Sequence, residues 1–100
     1  MCIRDSKQNQ EKHDAAVAAW AKQFVGAGWN YVRSDLPGSV KPTEIGGYIP
    51  DIYASHNGAE FVVEIETLDS VNTEHAQQQK AAFQRWMNQS VNRKFEVKIA

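Results

Sequence analysis

The chain has 100 residues, enough for one small domain, and a formal net charge of −1 at pH 7. Its hydrophobic content of 42% suits a compact soluble core, and no apolar run reaches the roughly 20 residues that a membrane-spanning helix needs. The near-neutral charge differs from the basic balance typical of nucleic-acid-binding domains. The single cysteine, Cys2, excludes a disulfide within the chain and predicts a reducing compartment, the cytoplasm.

The opening residues MCIRDS match a translation of a transposon-end adaptor used in sequencing libraries. We therefore expect residues 1–9 to be a disordered or artefactual segment, in a metagenomic fragment whose true start is missing. A genuine disordered N-terminus is the alternative. In either case, residues 10–100 are predicted to form a single domain.

The first predicted element is a helix from Gln10 to about Ala27. This stretch is rich in alanine, contains no proline and has apolar residues at helical spacing. Trp20 and Phe24 lie on the apolar stripe and are predicted core residues. Gly26 supplies a stop signal.

A strand and a loop follow the helix. Residues 29–35 alternate loosely between apolar and polar and predict a first strand. Residues 38–48 contain glycines and a proline and indicate a loop. The pair Gly46-Gly47 would let the backbone bend or approach another element closely. An ordinary connector is the alternative.

The clearest local pattern is a β-hairpin in residues 49–67. Asn57-Gly58 stands between two β-prone runs, and Asn-Gly is the preferred centre of a type I′ turn because both positions need a positive φ. With this pair at the tip, the register is fixed by counting outward. The predicted cross-strand pairs are His56–Ala59, Tyr53–Val62, Ile52–Val63 and Asp51–Glu64.

This register places acidic side chains together. Asp51 and Glu64 would stand side by side with Cβ atoms about 4.5–5.5 Å apart, and Glu66 would share their face. Neighbouring carboxylates raise each other's pKa unless a cation lies between them. A divalent ion with oxygen ligands relieves that repulsion, so the hairpin predicts a Mg²⁺-type site. A solvated acidic face on an edge hairpin is the alternative.

The last third of the chain predicts a helix and a strand. After a polar link, Ser70 or Thr73 can cap a helix that runs to about Gln89, with Phe83 and Met87 on its buried stripe. Residues 93–99 alternate again and form a final strand. Because a helical crossover favours a parallel, right-handed return, the expected fold is a mixed sheet with flanking helices.

Pro50-Asp51, a turn, and then Glu64-Ile65-Glu66 resemble the PD-(D/E)XK nuclease signature. The wider runs KPTEIGGYIPDIYA and VVEIETLDS resemble uncharacterised restriction-endonuclease-like proteins with an EVET-type motif, and the resemblance covers roughly residues 11–98. It implies an α/β fold with an αβββαβ core. Members usually continue with a further helix, so the chain could be truncated at its C-terminus. The resemblance also implies Mg²⁺ or Mn²⁺ bound by Asp51 and Glu64.

The remaining candidate residues leave alternatives open. The family usually has Lys where this chain has Glu66, although some restriction endonucleases carry Glu there. Glu66 could be a third metal ligand, a general base or a surface residue. Lys80 could supply the missing positive charge, or be an exposed helix lysine. Asp14 could be a ligand from the first helix, or an acid favoured by the helix dipole.

The function that the resemblance implies is a Mg²⁺-dependent, endonuclease-like phosphodiesterase that acts on nucleic acid, with DNA as the leading candidate substrate. A homodimer is possible, because many nucleases of this fold dimerise. The first alternative is a catalytically inactive nuclease-fold module for binding or assembly, which the missing lysine and the near-neutral charge favour. The second is a marginally folded fragment.

Overall fold

The computed structural model describes the backbone of residues 3–67 and 72–100. It describes the side chains of residues 10–67 and 72–100. It is a small α/β fold in which two helices accompany a four-stranded mixed sheet. The elements in chain order are α1 (Ile3–Gly26), β1 (Tyr31–Ser34), β2 (Ile52–His56), β3 (Ala59–Glu66), α2 (Glu74–Asn88) and β4 (Arg93–Ile99). The predicted order of helix, strand, hairpin, helix and strand is confirmed.

The predicted start of the first helix was wrong. Helix α1 begins at Ile3 rather than at Gln10, because no proline or glycine interrupts the intervening residues. It ends near the predicted stop, where Gly28 adopts a φ of 95°, a left-handed conformation that glycine tolerates without strain. The separation of residues 1–9 from the domain stays a prediction.

The sheet has the strand order β1-β2-β3-β4. The first two neighbour pairs are antiparallel, and β4 returns parallel to β3 after the α2 crossover, as predicted. The hairpin register is confirmed from His56↔Ala59 to Ile52↔Val63, with positive φ at Asn57 (52°) and Gly58 (87°). Strand β1 is shorter than the predicted residues 29–35, whereas β4 has the predicted bounds.

Each face of the sheet carries its own hydrophobic core, because side chains alternate along β3. The core beneath α1 and the core beneath α2 contain the four predicted packing residues, Trp20, Phe24, Phe83 and Met87. The fully or nearly fully buried members of the α1 core are Val17, Ile52, Val63 and Ile65. Those of the α2 core are Val62, Phe83 and Trp86.

Helix α2 begins with a side-chain cap. The Thr73 hydroxyl accepts a hydrogen bond from the Ala76 amide at 3.2 Å, which satisfies one otherwise unpaired N–H of the first turn. The prediction of Thr73 as a cap is therefore confirmed. The alternative cap, Ser70, lies outside the described residues.

The loop before the hairpin folds back against α2. Ile45 and Tyr48 exchange two backbone hydrogen bonds, of 2.7 and 3.0 Å, around Gly46 and Gly47, which both have positive φ. A Cβ added at Gly46 would lie 3.1 Å from the Ala82 Cβ of α2. The predicted close backbone approach is confirmed, and it places this loop beside α2. In the described part of the chain, no helix is long and apolar enough to span a membrane.

Candidate functional site

Asp51 and Glu64 lie side by side at one end of the sheet. The Asp51 amide donates a hydrogen bond to Glu64 Oε1 at 2.9 Å, and the Ile65 amide donates to Asp51 Oδ2 at 2.8 Å. Both residues are buried, with exposed fractions of 8% and 3%. The predicted juxtaposition is confirmed, while the role of the pair in metal binding stays a prediction.

Local sequence explains why these carboxylates are buried. Val63 and Ile65 are buried in the core beneath α1. Because successive side chains of β3 point to opposite faces of the sheet, Glu64 and Glu66 lie on the other face. Glu66 is also buried, at 7% exposure. The end of the sheet therefore holds three buried acidic residues, contributed by the start of the hairpin and by the last residues of β3.

His13 of α1 supplies a cation to this cluster. Its Nε2 lies 3.2 Å from Asp51 Oδ1, and its Nδ1 lies 3.1 Å from Asp14 Oδ1. The hydrogen bond to Asp51 is the largest cause that raises the pKa of His13, to about 9, against the opposing effect of partial burial. At neutral pH the imidazole is therefore protonated, and both ring nitrogens donate to carboxylates.

Glu64 reduces the negative charge of the cluster in a second way. Burial raises the pKa of Glu64 to about 9, and the charge of nearby Asp51 and, more weakly, of Glu66 adds to the increase. The carboxyl group therefore keeps its proton at neutral pH. Protonated Glu64 and protonated His13 together explain how the fold tolerates several acidic groups away from water.

Two of the predicted site residues are less directly connected. Asp14 Oδ1 accepts hydrogen bonds from Gln10 and from His13, and the His13 imidazole lies between Asp14 and Asp51. Lys80 is partly buried on α2, and no ion pair within the described residues joins it to a carboxylate. The proposed roles of Asp14 and Lys80 stay predictions.

Sequence reasoning missed His13. A usable signal existed, because His13 precedes the fully buried Val17 by four positions and so shares the apolar stripe of α1. Asp14, which sequence reasoning favoured, precedes Val17 by three positions and borders the same stripe. Helical periodicity thus places both residues towards the sheet, and it is the docking of α1 that brings His13 to Asp51.

A lysine beside the site was also missed. Lys41 Nζ lies 2.6 Å from Asp35 Oδ1, and the Asp35 amide donates a hydrogen bond to the Asp51 carbonyl at 2.9 Å. This proximity depends on how the loop after β1 folds, and no spacing in the sequence indicates it.

The donor set has the chemistry of a hard divalent ion, since carboxylate oxygens are the ligands that Mg²⁺ and Mn²⁺ prefer. Asp51 and Glu64 are the residues that would hold such an ion. Across residues 3–67 and 72–100, however, no three Asp, Glu, His or Cys side chains already form a metal-binding group. The protonated His13 nitrogen currently provides positive charge next to Asp51.

Comparison of the chain with protein-family models, with curated proteins and with solved structures gives no match. The resemblance to PD-(D/E)XK nucleases therefore rests on the residues of this chain and their arrangement.

Proposed function

We propose that the protein is a metal-dependent phosphodiesterase of the PD-(D/E)XK type that hydrolyses nucleic acid, with DNA as the leading candidate substrate. The observation that carries this proposal is the buried Asp51–Glu64 pair at the end of a hairpin. The Asp51 amide donates to the Glu64 carboxyl group, and the Ile65 amide donates to the Asp51 carboxylate. The element order α-β-β-β-α-β with a mixed sheet supports it, because the restriction-endonuclease-like core has the same order.

Each acidic residue has a distinct part in this proposal. A divalent ion held by Asp51 and Glu64 supplies Lewis-acid stabilisation of the phosphate charge and a bound water of lowered pKa. Glu64 must release its proton to become a ligand, because ligands bind in their deprotonated form. Glu66 would accept the proton of the attacking water, although a carboxylate at this position does not supply the positive charge that the usual lysine gives.

The direct test is cleavage of DNA and RNA, double-stranded and single-stranded, with Mg²⁺ or Mn²⁺. Wild-type cleavage should require the ion and should disappear in Glu64→Gln, which keeps the shape of the side chain but cannot lose a proton to become a carboxylate ligand. Glu96→Gln is the matched control, because Glu96 is an exposed acid of β4 outside the cluster. Cleavage that survives in Glu64→Gln, or a wild type that cuts nothing with either ion, contradicts the proposal.

The second candidate function is a nuclease-fold module that binds without cleaving. The specific observation in its favour is that both Asp51 oxygens already have partners, His13 at Oδ1 and the Ile65 amide at Oδ2. The cluster is thus compensated by groups of the protein itself. Nucleic-acid binding that is unaffected by divalent ions and by Glu64→Gln would favour this candidate.

A further inference from the structure

A lysine–aspartate pair lies next to the candidate site, in the loop between β1 and β2. Lys41 Nζ and Asp35 Oδ1 are 2.6 Å apart, which is a short, charge-assisted hydrogen bond. The lysine side chain nevertheless keeps 60% of its surface exposed. The pair therefore presents an ammonium group to solvent at a position fixed by a carboxylate.

The backbone places this pair beside Asp51. The β1–β2 register includes Ser34↔Ile52, and one further step brings Asp35 opposite Asp51, where the Asp35 amide donates to the Asp51 carbonyl at 2.9 Å. Residues opposite each other in an antiparallel pair have Cβ atoms about 4.5–5.5 Å apart. Asp35, which lies opposite Asp51, thus holds the Lys41 ammonium on the same side of the sheet end as the start of the hairpin.

Three other cations near the sheet have protein partners of their own. Arg93 binds Glu60 through Nε at 2.9 Å and the Trp86 carbonyl through a second nitrogen, and its guanidinium stacks on the Trp86 ring. Lys98 lies over the Trp20 ring and pairs with Glu96. His13 is held between two carboxylates. The Lys41 side chain is more exposed than any of these three.

We propose that Lys41 binds a backbone phosphate of the nucleic acid next to the cleaved bond, and that Asp35 is the residue that positions it. This inference rests on the proposed function. An ammonium group has three N–H donors, and the contact to Asp35 uses one of them, so the others remain for phosphate oxygens. The acidic cluster repels an anionic substrate, and Glu66 increases that repulsion. A cation supplied from this loop offsets part of it.

The test compares Lys41→Gln with Lys41→Arg and with Lys94→Gln. Lys94 is the matched control, because it is an exposed lysine of β4 that pairs with Phe61, away from the Glu64 end of β3. In Lys41→Gln, KM for a DNA duplex should rise on the order of tenfold with kcat little changed. The salt dependence of binding should become less steep by about 0.9 in log–log slope, the value for one phosphate contact. Lys41→Arg should stay near wild type.

Asp35→Asn tests the positioning role. If Asp35 acts through Lys41, then Asp35→Asn as a single substitution should raise KM. The same substitution added to Lys41→Gln should have no further effect on KM. The inference is overturned if Lys41→Gln and Lys94→Gln have the same KM and salt slope while the wild type still cleaves with Mg²⁺ or Mn²⁺. Absence of wild-type cleavage is a different result, and it overturns the proposed function together with this inference.

Discussion

Glu64 is a carboxyl group that the fold holds away from water, next to Asp51. Its pKa rises from 4.5 to about 9, first because burial disfavours the charge and then because of the Asp51 charge. A group whose pKa is higher in the folded than in the unfolded protein contributes its full stabilisation when the pH is below the unfolded-state pKa. That contribution is lost as the pH rises towards the folded-state pKa. The window for Glu64 is therefore pH 4.5 to 9, with stability falling as the pH increases.

At the residue scale, Glu64→Gln should make the metal-free protein less sensitive to alkaline pH. Because glutamine stays neutral, the free energy of unfolding of the variant should exceed that of the wild type by roughly 2–4 kcal/mol at pH 8. The two free energies should be similar near pH 5. The measurement is urea unfolding in EDTA from pH 5 to 9. His13 contributes a slope of the same sign between pH 6.5 and 9 that the variant retains. Parallel pH profiles for the two proteins would contradict the burial of Glu64.

At the element scale, the turn at Gly46-Gly47 packs closely against α2 at Gly46, where an added Cβ would crowd the helix. Both glycines have positive φ, but only Gly46 has a neighbour, with the Ala82 Cβ 3.1 Å from an added Cβ. Gly47→Ala should therefore cost about 1–2 kcal/mol for the left-handed backbone. Gly46→Ala should cost about 1 kcal/mol more, because overpacking is added. Chemical unfolding measures both, and equal costs would show that the loop does not pack on α2.

Packing of α2 itself depends on Phe83, which is fully buried and makes edge-to-face contacts with Tyr48 and Phe95. Phe83→Ala should reduce the free energy of unfolding by about 3–5 kcal/mol. Val91→Ala is the control, because Val91 is 98% exposed and should cost less than about 0.5 kcal/mol. Should Phe83→Ala fail to fold, Phe83→Leu provides the intermediate measurement. A cost near that of the control would contradict the packing of α2.

Sequence could predict the elements whose geometry is set locally. The Asn57-Gly58 turn, with alternation on both sides, fixes the hairpin register and thereby places Asp51 beside Glu64. The Thr73 cap and the bounds of β4 are local in the same sense. Local sequence patterns do not predict the contacts of His13 and Lys41. Those contacts depend on how α1 and the loop after β1 dock on the sheet.

At the scale of the whole molecule, the candidate site is an assembly of separate segments. Helix α1 brings His13 to Asp51, the loop after β1 brings Lys41 to Asp35, and β3 contributes Glu64. The two hydrophobic cores fix these segments relative to each other. Loss of either core is therefore expected to disturb the acidic cluster as well as the stability.

The measurement that tests the central claim most directly is calorimetric titration of the whole chain with Mg²⁺ and with Mn²⁺ at pH 7, in two buffers of different ionisation enthalpy. We predict saturable binding that is lost in Asp51→Asn and in Glu64→Gln. Because the pKa of Glu64 is about 9, binding should release close to one proton, so the observed heat should differ between the buffers. Absence of binding by the wild type, or equal binding by Glu64→Gln, would contradict a metal site at Asp51 and Glu64.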